Sequence, residues 1–139
     1  IIYLLEEKME KEFINTALLI DDDPSCIFIL GEFINLIDST IKKKAAYSVD
    51  EALSLLAHSS PFPEVIYVDL NMPIKSGFDF LEHYQLKYYS LYPATKVFVL
   101  TSSLRLFDKE KTMSFLCVSD YKSKREIDQF VESSLRIEI

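Results

Sequence analysis

Short apolar runs alternate along the chain with stretches whose apolar residues recur at helical spacing. Ala17 to Ile20 is wholly apolar and stops at three consecutive aspartates, as a strand buried on both faces would. After Pro24, the residues Ile27, Leu30, Ile34 and Ile37 fall on one helix face. A weaker strand is expected around Lys44 to Tyr47, then a helix over 50–58 with Ala52, Leu55 and Leu56 inward. The Ser59-Ser60-Pro61-Phe62-Pro63 loop ends that helix, and Glu64 to Asp69 forms the next strand. The pattern then predicts a helix over 78–89, a strand over 96–100 and a helix over 107–115. A short fifth strand over 118–121 and a last helix over 126–136 follow. Residues 1–15 lie outside this plan as an N-terminal extension, a short helix or a disordered stretch, with Met9 an alternative start.

Five strand–helix units with unalternated strands predict an α/β fold, a doubly wound three-layer sandwich around a five-stranded parallel sheet. Hydrophobic residues make up 49% of the 139 and charged residues 27%, the balance of a single globular module. No repeat or linker is visible, and no room for a separate output domain is expected. Fifteen Lys and Arg against 22 Asp and Glu give a formal charge of −7, which argues against nucleic acid as a partner. The apolar runs are too short for a membrane span and no signal-peptide layout is visible, so a cytoplasmic protein without a membrane partner is expected. Cys26 and Cys117 lack CxxC spacing and sit in apolar runs, which predicts buried thiols in a reducing compartment. His58 and His83 are too few and too scattered for a zinc site.

Only two glycines, Gly31 and Gly77, are present, so no Gly-rich phosphate loop or dinucleotide fingerprint exists here. The candidate chemistry lies instead at the strand ends, where open parallel sheets bind their ligands. Asp21, Asp22 and Asp23 end the first strand, Asp69 the third, Thr101 and Ser102 the fourth, and Lys122 or Lys124 the fifth. Asp23 before Pro24 suits a helix cap, which leaves Asp21 and Asp22 surplus to capping. Clustered carboxylates take up protons or hold a cation, and an all-oxygen set suits Mg²⁺ or Mn²⁺. A carboxylate attacking phosphorus needs such a cation, together with donors for the remaining oxygens that Thr101 and a lysine supply.

Four segments carry a resemblance. Leu18-Leu19-Ile20-Asp21-Asp22-Asp23-Pro24, Asp69-x-x-Met72-Pro73-x-x-x-Gly77, Val99-Leu100-Thr101-Ser102 and Asp120-Tyr121-x-x-Lys124 occur in this order. Together they resemble the response-regulator receiver domain of two-component signalling, the CheY-like family, in its single-domain form. The likeness covers about residues 16–136 and assigns 16–139 to the receiver. It implies the flavodoxin-like strand order 2-1-3-4-5. Asp69 is then the phosphoacceptor, charged by a histidine kinase or a histidine phosphotransfer protein. Mg²⁺, with Mn²⁺ an alternative, is held by Asp22, Asp69 and the Asn71 backbone carbonyl, and by Asp21 through a water. Lys124, preferred to Lys122, pairs with the phosphoryl group, Thr101 hydrogen-bonds it, and Thr101 and Tyr121 are the switch pair. The output is a downstream protein target or a homodimer using the face of strands four and five and the last helix. The implied protein is a signalling switch, not an enzyme beyond its own phosphorylation and dephosphorylation.

One departure stands out: the family usually follows its lysine with a cis proline, whereas Arg125 stands here. A cis bond without proline costs about 2.5–4 kcal/mol, so a trans bond or a remodelled loop is expected, with consequences for Lys124. Arg125 is also the one support for an alternative, a degenerate receiver acting as a phosphorylation-independent interaction module. A phosphatase using an aspartyl-phosphate is disfavoured by Asn71, where a second acid is wanted. Asn71 and Ser103 flank the place of an attacking water and are expected to tune phosphoryl lifetime. Among other features, the apolar run Cys26 to Leu30 reads chiefly as core. Lys42-Lys43-Lys44 reads as a solvated strand entry, and Tyr84, Tyr88, Tyr89 and Tyr92 as packing.

Overall fold

A computed structural model describes residues 12–137. Five strands, β1 (Thr16–Ile20), β2 (Lys42–Ala46), β3 (Val65–Val68), β4 (Lys96–Thr101) and β5 (Val118–Ser123), form one parallel sheet in the order β2-β1-β3-β4-β5. The helices are α1 (Pro24–Ile37), α2 (Val49–Ala57), α3 (Gly77–Lys87), α4 (Leu106–Met113) and α5 (Ile127–Leu135). The strand order and the alternation of strands and helices are those expected from the sequence.

Period-two alternation within β1 sorts its side chains between two cores. Leu18 and Ile20 join Val49, Ala52, Leu56, Phe80, Leu81 and Tyr84 beneath α2 and α3. Ala17 and Leu19 join Leu30, Ile34, Tyr67, Phe130, Val131 and Leu135 beneath α1 and α5. Every residue of β3 is buried, as the central position between two layers requires. The aromatic end of α3 is packing: Tyr84 and Tyr88 are buried, and Phe62 stacks on Tyr92 at 3.7 Å.

Local chemistry sets the helix starts. Asp23 caps α1 by accepting from the Ser25 N–H at 2.9 Å, with Pro24 in the first helical turn. Ser48 caps α2, and Ser76 with Asp79 forms a capping box at α3. α4 starts at Arg105 with no side-chain cap.

Two strand boundaries differ by two residues from the sequence reading. β2 starts two residues earlier than expected, and Lys42 to Lys44 form its body; it is an edge strand, where lysines discourage pairing with another chain. β5 runs two residues further, because Lys122 and Ser123 continue the ladder opposite Leu100 and Thr101. Of the extension over 1–15, residues 1–11 lie outside the described residues. Phe13 forms an antiparallel bridge with Arg136, and the Ile14 N–H donates to Leu135 O at 2.9 Å. No helix among the described residues is long and apolar enough to cross a membrane.

Candidate functional site

The ladder itself fixes the acids. Asp21 donates its N–H to Ala46 O and Asp69 donates its N–H to Ile20 O, each at 3.0 Å, so both backbones continue the sheet past its last residues. Their side chains turn into one pocket and are 6% and 5% exposed. One carboxylate oxygen from each of Asp21, Asp22 and Asp69 lies within 4.8 Å of the others, with Asp22 exposed. Lys124 reaches in from beyond β5, its Nζ 2.7 Å from Asp21 Oδ2 and 3.5 Å from Asp69 Oδ2. Asp69 Oδ1 is buried and has no hydrogen-bond partner.

These contacts set the charge states. Burial pushes the Asp69 carboxyl up, Lys124 opposes the rise and Asp21 adds to it, and together they bring it to about 6. Burial alone would lower the Lys124 ammonium. The Asp21 hydrogen bond and the charges of Asp69 and Asp21 outweigh that and hold it above its usual range. The cluster at neutral pH is thus an ionised Asp69 beside a fixed cation.

The loop after Asp69 is shaped by Gly77. Its N–H donates to Leu70 O at 2.8 Å, and a Cβ there would meet Asp69 O at 2.3 Å and Leu70 Cα at 2.8 Å. The first turn of α3 thus presses directly on the backbone that carries Asp69. Met72 plugs the core beneath the loop. Ile74 is fully exposed with φ of 71°, a left-handed conformation that a β-branched side chain rarely adopts. The Asn71 side chain points to solvent.

At the end of β4, Thr101 is fully buried and its Oγ1 accepts from the Ser103 N–H at 3.1 Å. Ser103 is a hub. Its Oγ donates to Asp108 Oδ2 on α4 at 2.6 Å, and its carbonyl accepts from the half-buried Tyr121 hydroxyl at 3.2 Å. Thr101 and Tyr121 are therefore joined through one residue. The Ser103 hydroxyl turns toward α4. Nothing in the sequence marked Asp108, whose burial is visible only once α4 is placed.

The Lys124–Arg125 bond is trans, since the one cis bond among the described residues is Ser60–Pro61. The chain turns there in a 3-10 turn over Lys124–Glu126, with Ser123 Oγ accepting from the Arg125 N–H at 3.2 Å. With Arg125 in this turn, Lys124 still lies among the acids. Lys122 points elsewhere, pairing with Asp120 at 3.6 Å and lying 5.9 Å from the Phe130 ring centre.

Cys26 corrects the expectation of two buried thiols. Cys117 is buried, but Cys26 is half-exposed, its Sγ 3.5 Å from Lys124 Nζ and 3.5 Å from Asp23 Oδ2. It shares the inward stripe of Leu30 and Ile34, yet it lies in the first turn of α1, which overhangs the strand ends. There it lines a cavity of about 140 Å³ with Asp21, Asp69 and Lys124.

The chain matches the model of the response regulator receiver domain over residues 17–132. No curated protein sequence matches it. Among solved structures it is similar to the phosphorylated cyanobacterial phytochrome response regulator RcpA, at 20% identity and a TM-score of 0.75, covering 86% of this chain and 89% of that one. A two-component response regulator from Cytophaga hutchinsonii shares 24% identity at a TM-score of 0.73, covering 87% of this chain and 98% of that one. The Mn²⁺-bound form of response regulator Rcp1 shares 21% at 0.74, covering 86% and 91%. With the strand order, the strand-end acids and a family match spanning most of its length, the chain belongs to the response regulator receiver domain family and is a phosphoryl-accepting signalling domain.

Proposed function

We propose that Asp69 accepts a phosphoryl group from the phosphohistidine of a histidine kinase or a histidine phosphotransfer protein in the cytoplasm. The observation that carries this reading is the Asp69 carboxylate itself. It is almost wholly buried, one oxygen lacks a partner, and the other faces an ammonium at 3.5 Å. An unpaired buried carboxylate oxygen costs a few kcal/mol unless something completes it. Asp69 attacks phosphorus as the phosphorus–nitrogen bond to the donor imidazole breaks. Lys124 pairs with one phosphoryl oxygen and the Thr101 hydroxyl donates to another, leaving its bond from the Ser103 N–H.

A divalent cation fits the donor set: three carboxylates within 4.8 Å and an orphaned oxygen suit a hard ion. Asp22 and Asp69 would hold it with the Asn71 backbone carbonyl, and Asp21 through a water. Mg²⁺ is the expected ion and Mn²⁺ a substitute, in keeping with the Mn²⁺-bound Rcp1. When bound, it neutralises charge on the phosphoryl oxygens.

The signal passes through Ser103. A shift of Thr101 toward the phosphoryl group pulls on the loop that Tyr121 and Asp108 both hold, and so moves α4 against β5. Phosphorylation thereby changes the face of β4, β5 and α5 for a downstream target or a second copy. The protein is a switch that catalyses only its own phosphorylation and dephosphorylation. A phosphorylation-independent binding module had its support in Arg125, and Lys124 keeps its place among the acids despite that residue. The test is intact mass after incubation with acetyl phosphate and Mg²⁺. One phosphoryl adduct is expected on the wild type and none on Asp69→Asn. A wild type that stays unmodified under rapid sampling would refute the reading.

A further inference from the structure

Cys26 stands between an acid and a cation, at a cavity whose apolar wall the switch reading leaves unused. Its thiol donates to Asp23 Oδ2 at 3.5 Å, and Lys124 Nζ donates to its sulfur at 3.5 Å. The Lys124 ammonium thereby spreads its N–H bonds over Asp21, Asp69 and the thiol. Cys26 also lies in the first turn of α1, at the positive end of the helix, which favours a developing thiolate. Burial holds the resting thiol above its ordinary value, with Lys124 opposing the rise. A standing thiolate is therefore scarce, and reaction depends on what the cavity holds against the sulfur.

That cavity, of about 140 Å³, is walled by Ile27, Leu30, Leu100 and Ile127. It is close to the size that takes a benzene molecule, so a compact hydrocarbon group fits it. Its polar demand is unmet at Asp69, which also lines it. That residue is 5% exposed, and its buried Oδ1 has no hydrogen-bond partner. A molecule matched to this space carries an apolar body, a donor for Asp69, and an atom that a thiol attacks beside a cation. An organic hydroperoxide has all of these.

We infer that Cys26 is an oxidation site for a small organic hydroperoxide. The alkyl group occupies the apolar cavity, and the peroxide O–H donates to Asp69 Oδ1. Sγ attacks the terminal peroxide oxygen, so an S–O bond forms as the O–O bond breaks. The proton that the thiol gives up toward Asp23 returns through water to the leaving alkoxide, whose charge Lys124 offsets. Thiol and hydroperoxide thus become sulfenic acid and alcohol, the sulfur oxidised and the peroxide reduced. The new S–OH oxygen lies beside Lys124 Nζ and competes with Asp69 for it. Oxidation therefore slows phosphorylation, a consequence that rests on the Asp69 reading, whereas the oxidation site itself does not.

The test uses the full chain, reduced and without added metal, with tert-butyl hydroperoxide as the probe and hydrogen peroxide as the comparison. Oxidation is followed by intact mass and by dimedone capture of the sulfenic acid, placed on Cys26 or Cys117 by peptide mapping. Free cysteine treated alike sets the intrinsic reactivity of each oxidant. Relative to it, Cys26 is expected to favour tert-butyl hydroperoxide over hydrogen peroxide by about tenfold or more, the gain from burying a few methyl groups. That preference should vanish in urea, Cys26→Ser should give no capture at that position, and dithiothreitol should restore the wild-type mass. A preference no greater than that of free cysteine, its persistence in urea, or capture at Cys117 alone would overturn the inference. In a second arm, acetyl phosphate and Mg²⁺ are added to oxidised and reduced protein. The oxidised form should take the phosphoryl group about tenfold more slowly, and dithiothreitol should restore the rate. Equal rates would refute the coupling. A reduced protein that takes no phosphoryl group would count against Asp69 chemistry alone, because the mass and capture measurements decide the oxidation site by themselves.

Discussion

Alanine at the two glycines should move stability in opposite directions. Gly31 lies inside α1, and a Cβ there would have Lys43 Cε at 4.0 Å as its nearest neighbour. Gly31→Ala adds no clash and removes backbone entropy from the unfolded chain, so a gain of about 0.5–1 kcal/mol is expected. Gly77 opens α3 directly against the phosphorylation loop. A Cβ at 2.3 Å from Asp69 O must retreat by about 1 Å to reach ordinary contact near 3.5 Å. The neighbours are backbone atoms, so the helix start or the loop must move. That motion breaks the 2.8 Å bond from Gly77 N to Leu70 O, worth about 0.5–1.5 kcal/mol. Overpacking adds about 1–3 kcal/mol, and the helix preference of alanine returns about 0.5–1, for a net loss centred near 2 kcal/mol. Urea unfolding followed by circular dichroism and tyrosine fluorescence reads both variants, as the chain has no tryptophan. A Gly77→Ala protein within about 0.5 kcal/mol of wild type would refute the close-approach argument. Because the shifted backbone carries Asp69, acetyl phosphate labelling of Gly77→Ala should also slow, up to about a hundredfold.

Asp69 gives a pH signature in the metal-free protein. Its folded carboxyl, raised to about 6, keeps a proton that the unfolded chain loses near pH 4. Its share of stability therefore falls as pH rises from about 4 to 6 and is level above. Asp69→Asn should gain about 1–3 kcal/mol over wild type above pH 6 and little below pH 4, and a difference independent of pH would sink this. Ile74→Asn should raise the unfolding free energy by about 1 kcal/mol, seen as a higher urea midpoint with the slope unchanged, because the exposed side chain makes no packing to lose and asparagine tolerates φ of 71°. Iodoacetamide should add one group to the native protein, at Cys26. Cys117, buried and raised to about 11, should react only in urea, and native double labelling would contradict its burial.

The centre of the sheet was legible because β1, β3 and β4 are apolar without alternation, and Ala17-Leu18-Leu19-Ile20 can be buried on both faces only in a three-layer fold. The rim was legible because polar residues stop those runs abruptly, which puts Asp21, Asp69 and Thr101 at strand ends. What escaped the sequence depends on partners distant in the chain. Lys42 to Lys44 look like loop, and only pairing with β1 makes them a strand. Lys122 reads as the end of β5, yet the ladder continues and leaves Lys124 past the edge. Cys26 keeps helical register with the core, and only the overhang of α1 exposes it. α4 misleads periodicity altogether, since its apolar residues face out.

The bridge between Phe13 and Arg136 ties the segment before β1 to the segment after α5, with Arg136 also paired to Glu12, 124 positions away. Closing so long a loop costs little more than closing a short one, since the entropy grows only with the logarithm of length. The order of events during synthesis is another matter. β1 sits at the heart of the sheet and is made before the other four strands, yet the acceptor for the Ile14 N–H, Leu135 O, emerges only after all five. Until then the segment leading into β1 has nothing to hold on that side. The segment leading into β1 is thus secured only after the last helix of the domain has been made.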